Sequence, residues 1–131
     1  MFEVIKVGVA AERSLVVEEE HTAASGGSGA LPVFATPQMI ALMEGAAVAA
    51  VDPLLPSGHH TVGIHVDIRH IAATPVGRMV TACAELVEID GRKLSFRVRA
   101  FDEAGTIGEG VHHRFIVEEK RFMQRARSRG A

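Results

Sequence analysis

The sequence predicts an α+β protein in which one curved antiparallel sheet wraps around a central buried helix. Three observations point there. A run beginning at Thr36-Pro37, PQMIALMEGAAVAAVDP, is apolar on nearly every side, as a buried helix is. Downstream of it the apolar residues switch to a period of two, the mark of strands. The resulting order is a strand, this helix, then four more strands, and a sheet closing over the helix covers the apolar faces of both.

In chain order, residues 13–24 (RSLVVEEEHTAA) read as the first strand, with Leu15 and Val17 alternating against Val16 and Glu18. Residues 25–29, SGGSG, form a flexible loop by composition. Thr36-Pro37 marks a helix start, with Thr as N-cap and Pro at the first helical position, and the helix ends before Pro53. Val62, Ile64, Val66, Ile68 and His70 then alternate with Gly63, His65, Asp67, Arg69 and Ile71, a strand with one apolar face. Residues 78–89 carry Val80, Ala82, Ala84 and Leu86 in step, and Asp90-Gly91 supplies a two-residue hairpin turn. Residues 93–101 set Leu94, Phe96, Val98 and Ala100 against Ser95, Arg97 and Arg99. A loop around residues 102–105 leads to a last strand through Val111, His113, Phe115 and Val117, and EEKRFMQRARSRGA closes as a charged helix and basic tail. No repeat or boundary divides residues 1–131, which are expected to form a single domain.

Composition excludes several functions. With 47% apolar and 23% charged residues the chain can bury a core, which argues against disorder. The absence of Trp and Tyr and a net charge of −2 offer nucleic acid neither stacking surface nor attraction, so no nucleic-acid partner is expected. A lone cysteine, Cys83, permits no intramolecular disulfide and argues against a thiolate metal site. The first residues lack the apolar core of a signal peptide, and no stretch approaches the roughly 18 apolar residues of a membrane span. A cytoplasmic setting without membrane contact is the expectation.

Three residues could do chemistry. Glu44 stands between Met43 and Gly45 on a helix otherwise built of Met, Ile, Leu, Ala and Val. A buried, unpaired carboxylate is costly, so Glu44 either reaches a wet stripe, pairs with an arginine, or is held for function. Small neighbours, Gly45 and Ala46, leave room for a ligand beside it. His70 falls by parity on the apolar face of its strand, the face the helix covers, so it is either a satisfied core histidine or able to approach Glu44 as an acid–base partner. Thr36 is a helix cap by position. It lies eight residues from Glu44, roughly 12 Å along the axis, so any joint role needs a bridge or a second protomer.

The other candidates carry less. His59-His60 occupy a loop, His112-His113 straddle the two faces of the last strand, and Cys83 sits among apolar positions as a small inert side chain. His65 and Asp67 share a strand face but lack a third ligand at a telling spacing, so no metal is expected. SGGSG lacks the Lys-Ser/Thr ending of a phosphate loop.

VFATPQMIALMEGAA, VGIHVDIRHIAATPVG and GRKLSFRVRAFDEAGTIGEGVHHRFIV, spanning about residues 32–117, resemble the hot-dog-fold thioesterases of the fluoroacetyl-CoA thioesterase-like family. The spacing of Thr36, Glu44, Gly63, His70, Ala72, Pro75 and Gly77 carries the resemblance. It implies a catalytic set of Thr36, Glu44 and His70, with Gly63 in close approach to the thioester and Arg114 as a polar contributor to substrate binding. It implies an acyl-CoA substrate, no cofactor, and a homodimer or higher homo-oligomer with sites at protomer interfaces. Arg69, Arg78, Arg92, Lys93 and the Arg-rich tail are candidates for the CoA phosphates. The chain departs from the family before Thr36, where SGGSGALP offers no aromatic side chain until Phe34. Two rival functions share the fold: a non-catalytic acyl-CoA binding module, and a hydratase or dehydratase.

Overall fold

The computed structural model describes residues 2–130. Its strands are β1 (Ala10–Val16), β2 (His59–His70), β3 (Met79–Asp90), β4 (Lys93–Asp102) and β5 (Gly105–Glu118). Its helices are the single turn α1 (Ala23–Gly26), the long α2 (Thr36–Val51) and the terminal α3 (Glu119–Ser128). The strands form one antiparallel sheet in the order β1-β3-β4-β5-β2. β3, β4 and β5 are a meander, whereas β2 crosses over to pair with β5 and becomes an edge.

The core lies between α2 and the sheet, chiefly over β1 and β3. Met39, Met43, Ala46, Ala47, Ala50 and Val51 recur at helical spacing and are buried. They meet Val80, Ala82, Ala84 and Leu86 of β3 and Phe96 and Val98 of β4, all fully buried. Alanines on both sides bring helix and sheet close. Gly108 of β5 extends the same logic, because a Cβ there would come within 2.5 Å of the Met39 sulfur.

The predicted alternation holds on β3 and β4, where Val80, Ala82, Ala84, Leu86, Leu94, Phe96, Val98 and Ala100 all face the core. Elsewhere the structure differs. The first strand begins earlier, at Ala10, and stops at Val16, because the side chains that follow favour turns: Glu18 and His21 form a capping box and Thr22 caps α1. The hairpin loop is Gly91–Arg92, one residue later than expected, since Asp90 still pairs with Lys93. Gly91 has φ +61°, which suits the first loop position of a type II′ turn.

Two parity readings also change. A bulge at Ile64 divides β2, so Val62 pairs outward with Phe115 while Val66, Ile68 and His70 pair with His112, Gly110 and Gly108 on the helix side. On β5 the apolar series Val111, His113, Phe115 and Val117 faces away from the helix, with Val111 and Phe115 exposed. The inward series is Gly108, Gly110, His112, Arg114 and Ile116, so the concave face here holds polar groups. Finally, α2 is apolar all round but buried on one face only, leaving Ile40, Leu42, Glu44 and Val48 partly exposed.

Candidate active site

The predicted residues fall into two clusters, one at the start of α2 and one two turns along it. The first joins the start of the helix to the end of β2. Thr36 is the first residue of α2, not its cap: Ala35 occupies the N-cap position and no side chain caps the helix. The Thr36 hydroxyl is instead hydrogen-bonded to His70 Nδ1 at 2.7 Å. His70 Nε2 is buried and makes no well-directed hydrogen bond. Burial holds the pKa of His70 below the ordinary histidine value, opposed in smaller measure by the backbone at Ala72. The ring is therefore neutral near pH 7, and one nitrogen can accept a proton.

This pair opens into a cleft of about 340 Å³. Ala23, Ser28, Val33, Phe34, Ile71, Ala72 and Ala73 complete its lining. A larger cavity of about 520 Å³ lies over the outward side chains of β2, β4 and β5, among Asp67, Arg69, Arg97, Arg99 and Glu109. Its charges are mixed and neither Thr36 nor His70 reaches it.

The second cluster surrounds Glu44, two turns along α2. Glu44 Oε2 lies 3.7 Å from Arg114 Nη1 and 3.9 Å from His112 Nε2, with the glutamate side chain 39% exposed. Arg114 is buried and fully engaged: Nε donates to the Thr61 hydroxyl at 2.8 Å, Nη2 to the Thr61 carbonyl at 2.9 Å, and Nη1 to His112 Nε2 at 3.0 Å. The Thr61 hydroxyl in turn donates to Asp52 at the end of α2. His112 Nδ1 donates to the His65 carbonyl at 2.9 Å, which leaves Nε2 as the acceptor for Arg114. That pairing requires a neutral His112, and burial accordingly lowers its pKa, with Arg114 adding to the effect.

Gly63 makes this approach possible. A Cβ at Gly63 would stand 2.7 Å from Glu44 Oε2 and 3.2 Å from His112 Cε1. The space beside the carboxylate therefore comes from β2 and not from the helix, correcting the expectation for Gly45 and Ala46. Gly45 lies against the Arg13 side chain, 3.6 Å from where its Cβ would be, and Ala46 is core.

Thr36 and His70 are thus brought together, as are Glu44, Gly63 and Arg114, but no hydrogen bond or ion pair links Glu44 to His70 among the described residues. In one chain they sit at different points along β2, with Glu44 at Gly63 and Thr36 at His70. His112, Thr61 and Asp52 are site-supporting residues that the sequence did not single out. The signal was present in β5, where Gly, Gly, His and Arg alternate from position 108 to 114, a small-and-polar series inside a protein.

The lesser candidates also have settled places. His65 and His113 stack on the outer face with ring centroids 5.0 Å apart. No cluster of three or more metal-ligating side chains occurs among the described residues. Cys83 donates to Glu12 at 3.0 Å, and burial, reinforced by that carboxylate, pushes its thiol to about 11. Arg69 faces Glu109 at 3.9 Å and Arg92 lies over the Phe2 ring. No helix among the described residues is long and apolar enough to cross a membrane.

Residues 17–120 match the fluoroacetyl-CoA-specific thioesterase family. The chain is 42% identical over 97 residues to the fluoroacetyl-CoA thioesterase of Streptantibioticus cattleyicolor, covering 74% of this chain and 70% of that protein. A solved structure of a fluoroacetyl-CoA thioesterase superposes with a TM-score of 0.90 at 35% identity, over 97% of this chain and 98% of the other. A Thermus thermophilus protein described as a thioesterase superfamily member gives 0.86 at 30% identity, over 94% and 91%. A hot-dog-like protein from Thermanaerovibrio acidaminovorans gives 0.90 at 22% identity, over 98% and 96%, a likeness of fold.

Proposed function

Because the chain belongs to the fluoroacetyl-CoA-specific thioesterase family and is a thioester hydrolase, we propose that it cleaves an acyl-CoA to a carboxylate and free CoA. We place the reaction at a composite site of a homodimer or larger homo-oligomer, with Thr36 and His70 from one protomer and Glu44, Gly63 and Arg114 from the other. The observation that carries this reading is the 2.7 Å bond between Thr36 Oγ1 and His70 Nδ1, a nucleophile within reach of a neutral base.

Two features support a shared site. β2 is a 12-residue edge strand with Ile64 and Val66 exposed and no proline or lysine to guard it, an edge that invites a partner strand. A second copy pairing antiparallel along this edge, about a two-fold axis near residues 66 and 67, sets His70 opposite the partner's Gly63. The partner's Glu44 then joins Thr36 and His70, which a single chain keeps apart. The half-exposed outer face of α2 gives such a contact further apolar area.

In this reaction His70 takes the Thr36 proton as the hydroxyl attacks the thioester carbonyl. N–H groups at the uncapped start of α2 hold the developing oxyanion. The CoA thiolate leaves and takes the proton back from His70. Water, oriented by Glu44, then hydrolyses the acyl-threonine, His70 again serving as base, so the net change consumes one water and releases carboxylate and thiol. Arg114, tied to Thr61 and His112, keeps Glu44 aimed. The unpaired thiol of Cys83 fits a reducing compartment, the cytoplasm.

The test is thiol release from a panel of acyl-CoAs by the purified protein, alongside Glu44→Gln and His70→Ala. Each variant is expected to lose at least about a hundredfold in turnover, the range for an acid–base group. Near-wild-type rates in both would place the site elsewhere. Hydration of an enoyl-CoA without thiol release would favour the hydratase reading.

A further inference from the structure

Resting on the hydrolase reading above, we infer that the cleft beside Thr36 and His70 receives the acyl group and selects an uncharged, ring-sized acyl group over a two-carbon one. Its volume, about 340 Å³, is the first ground. A cavity of roughly 150 Å³ suffices for benzene. A two-carbon acyl group would fill a minor part of this cleft and leave the rest to water.

The lining is the second ground. Every residue from 23 to 30 is Ala, Ser or Gly, so this wall supplies no bulky side chain. Ala72 and Ala73 are equally small, and Val33, Phe34 and Ile71 supply the apolar remainder of the lining. The wall is nonetheless held by backbone bonds: Ala23 N–H donates to the Val33 carbonyl, Ala24 N–H to Leu31, and Ser28 N–H to Ala23. Gly27 closes α1 with φ +77°, and Gly29 lies so close to Ala23 that an added Cβ would stand 3.2 Å from it. The space is therefore a property of the fold and not of a collapsed loop.

The polarity of the lining is the third ground. Besides Thr36 and His70, Ser28 is the one polar side chain that the chain itself brings to the cleft, which no lysine or arginine lines. The carboxylate that the two-protomer reading adds there, the partner's Glu44, is itself negative. An acyl group ending in a carboxylate would lose its hydration there without gaining a cation. An apolar ring gains instead, each additional buried methylene raising kcat/KM about fourfold.

The test compares kcat/KM for acetyl-CoA, phenylacetyl-CoA and succinyl-CoA, the second chosen because its carbonyl carries an sp3 carbon as acetyl does. Phenylacetyl-CoA is expected to exceed each of the others by at least about tenfold. Ser28→Phe and Ala73→Phe, each of which adds a ring to the lining of the cleft, should each lower the phenylacetyl-to-acetyl ratio by about tenfold. Acetyl-CoA matching or exceeding phenylacetyl-CoA in the wild type would overturn the inference while leaving the hydrolase reading intact. So would an unchanged ratio in both variants at wild-type Tm. Failure of every thioester to turn over would overturn the hydrolase reading as well.

Discussion

The Thr36 hydroxyl lies 2.7 Å from His70 Nδ1, joining the first residue of α2 to the last residue of β2. A threonine before a proline at a helix start ordinarily spends its oxygen on the helix's own N–H groups. Here no such bond exists, because Ala35 holds the N-cap position and the hydroxyl turns to the histidine. Helix capping and the proposed catalytic role can therefore be tested separately at this residue. Thr36→Ala is expected to reduce kcat by at least about a hundredfold while lowering stability by less than the ~1 kcal/mol that loss of a true cap costs. Thr36→Ser should retain most of the activity. Thermal melts and thiol-release assays on the same preparations decide it, and a large loss of Tm with modest loss of kcat would return Thr36 to a structural role.

His70 and His112 both titrate below the ordinary histidine value, in each case chiefly through burial. With His70 as the proposed base, neutral at pH 7, kcat/KM should fall on acidification with a midpoint below the ordinary histidine value. For stability the sign follows from proton uptake. Between the folded pKa values and about 6.5 the unfolded chain binds more protons than the folded one, so stability is present above that window and lost as pH falls through it. Urea midpoints at pH 7.5 and 5.5 should differ in that direction. A midpoint that rises on acidification would contradict the assignment of neutral rings.

Arg114 and Gly63 hold Glu44 in different ways. Arg114→Met removes the donors to Thr61 and His112 and leaves those acceptors buried, with an expected loss of about 2–3 kcal/mol. Gly63→Ala places a methyl group 2.7 Å from Glu44 Oε2, too close for the carboxylate to stay where it is. Its expected effect is a fall in kcat with a smaller change in stability, since Glu44 is at a partly exposed position. Paired denaturation and kinetic measurements distinguish the two, and a Gly63→Ala enzyme with wild-type kcat would show that the position of Glu44 is not critical.

Much of this was legible in the sequence where one physical rule acts alone. β3 and β4 follow simple alternation because one face meets the helix and the other meets solvent, so Leu86 and Phe96 were assigned correctly. β5 misled for the opposite reason. Its inward residues near the site are Gly110, His112 and Arg114, and its outward residues are Val111 and Phe115, so hydropathy pointed to the wrong face. The bulge at Ile64 likewise left no sequence mark, since an inserted residue keeps the apolar count intact while reversing which side it serves. Glu44 stood out in the sequence as a charge on an apolar helix. Arg114 was reached through the family resemblance alone. Its pairing with Glu44, like that of His112, could not be read from the residues, because these distant positions meet only through the β2–β5 register.

The central claim is that one protomer's Thr36 and His70 work with the partner's Glu44, and mixed dimers test it most directly. His70→Ala and Glu44→Gln chains, each inactive alone, are unfolded together, refolded as an equal mixture and assayed for thiol release. If the site is shared across a two-fold interface, each mixed dimer has one site carrying both lesions and one carrying neither. With random pairing, about a quarter of wild-type activity should then return. If all three residues belong to one chain's site, every site in every mixed dimer carries a lesion, and no activity above that of the separate variants would appear.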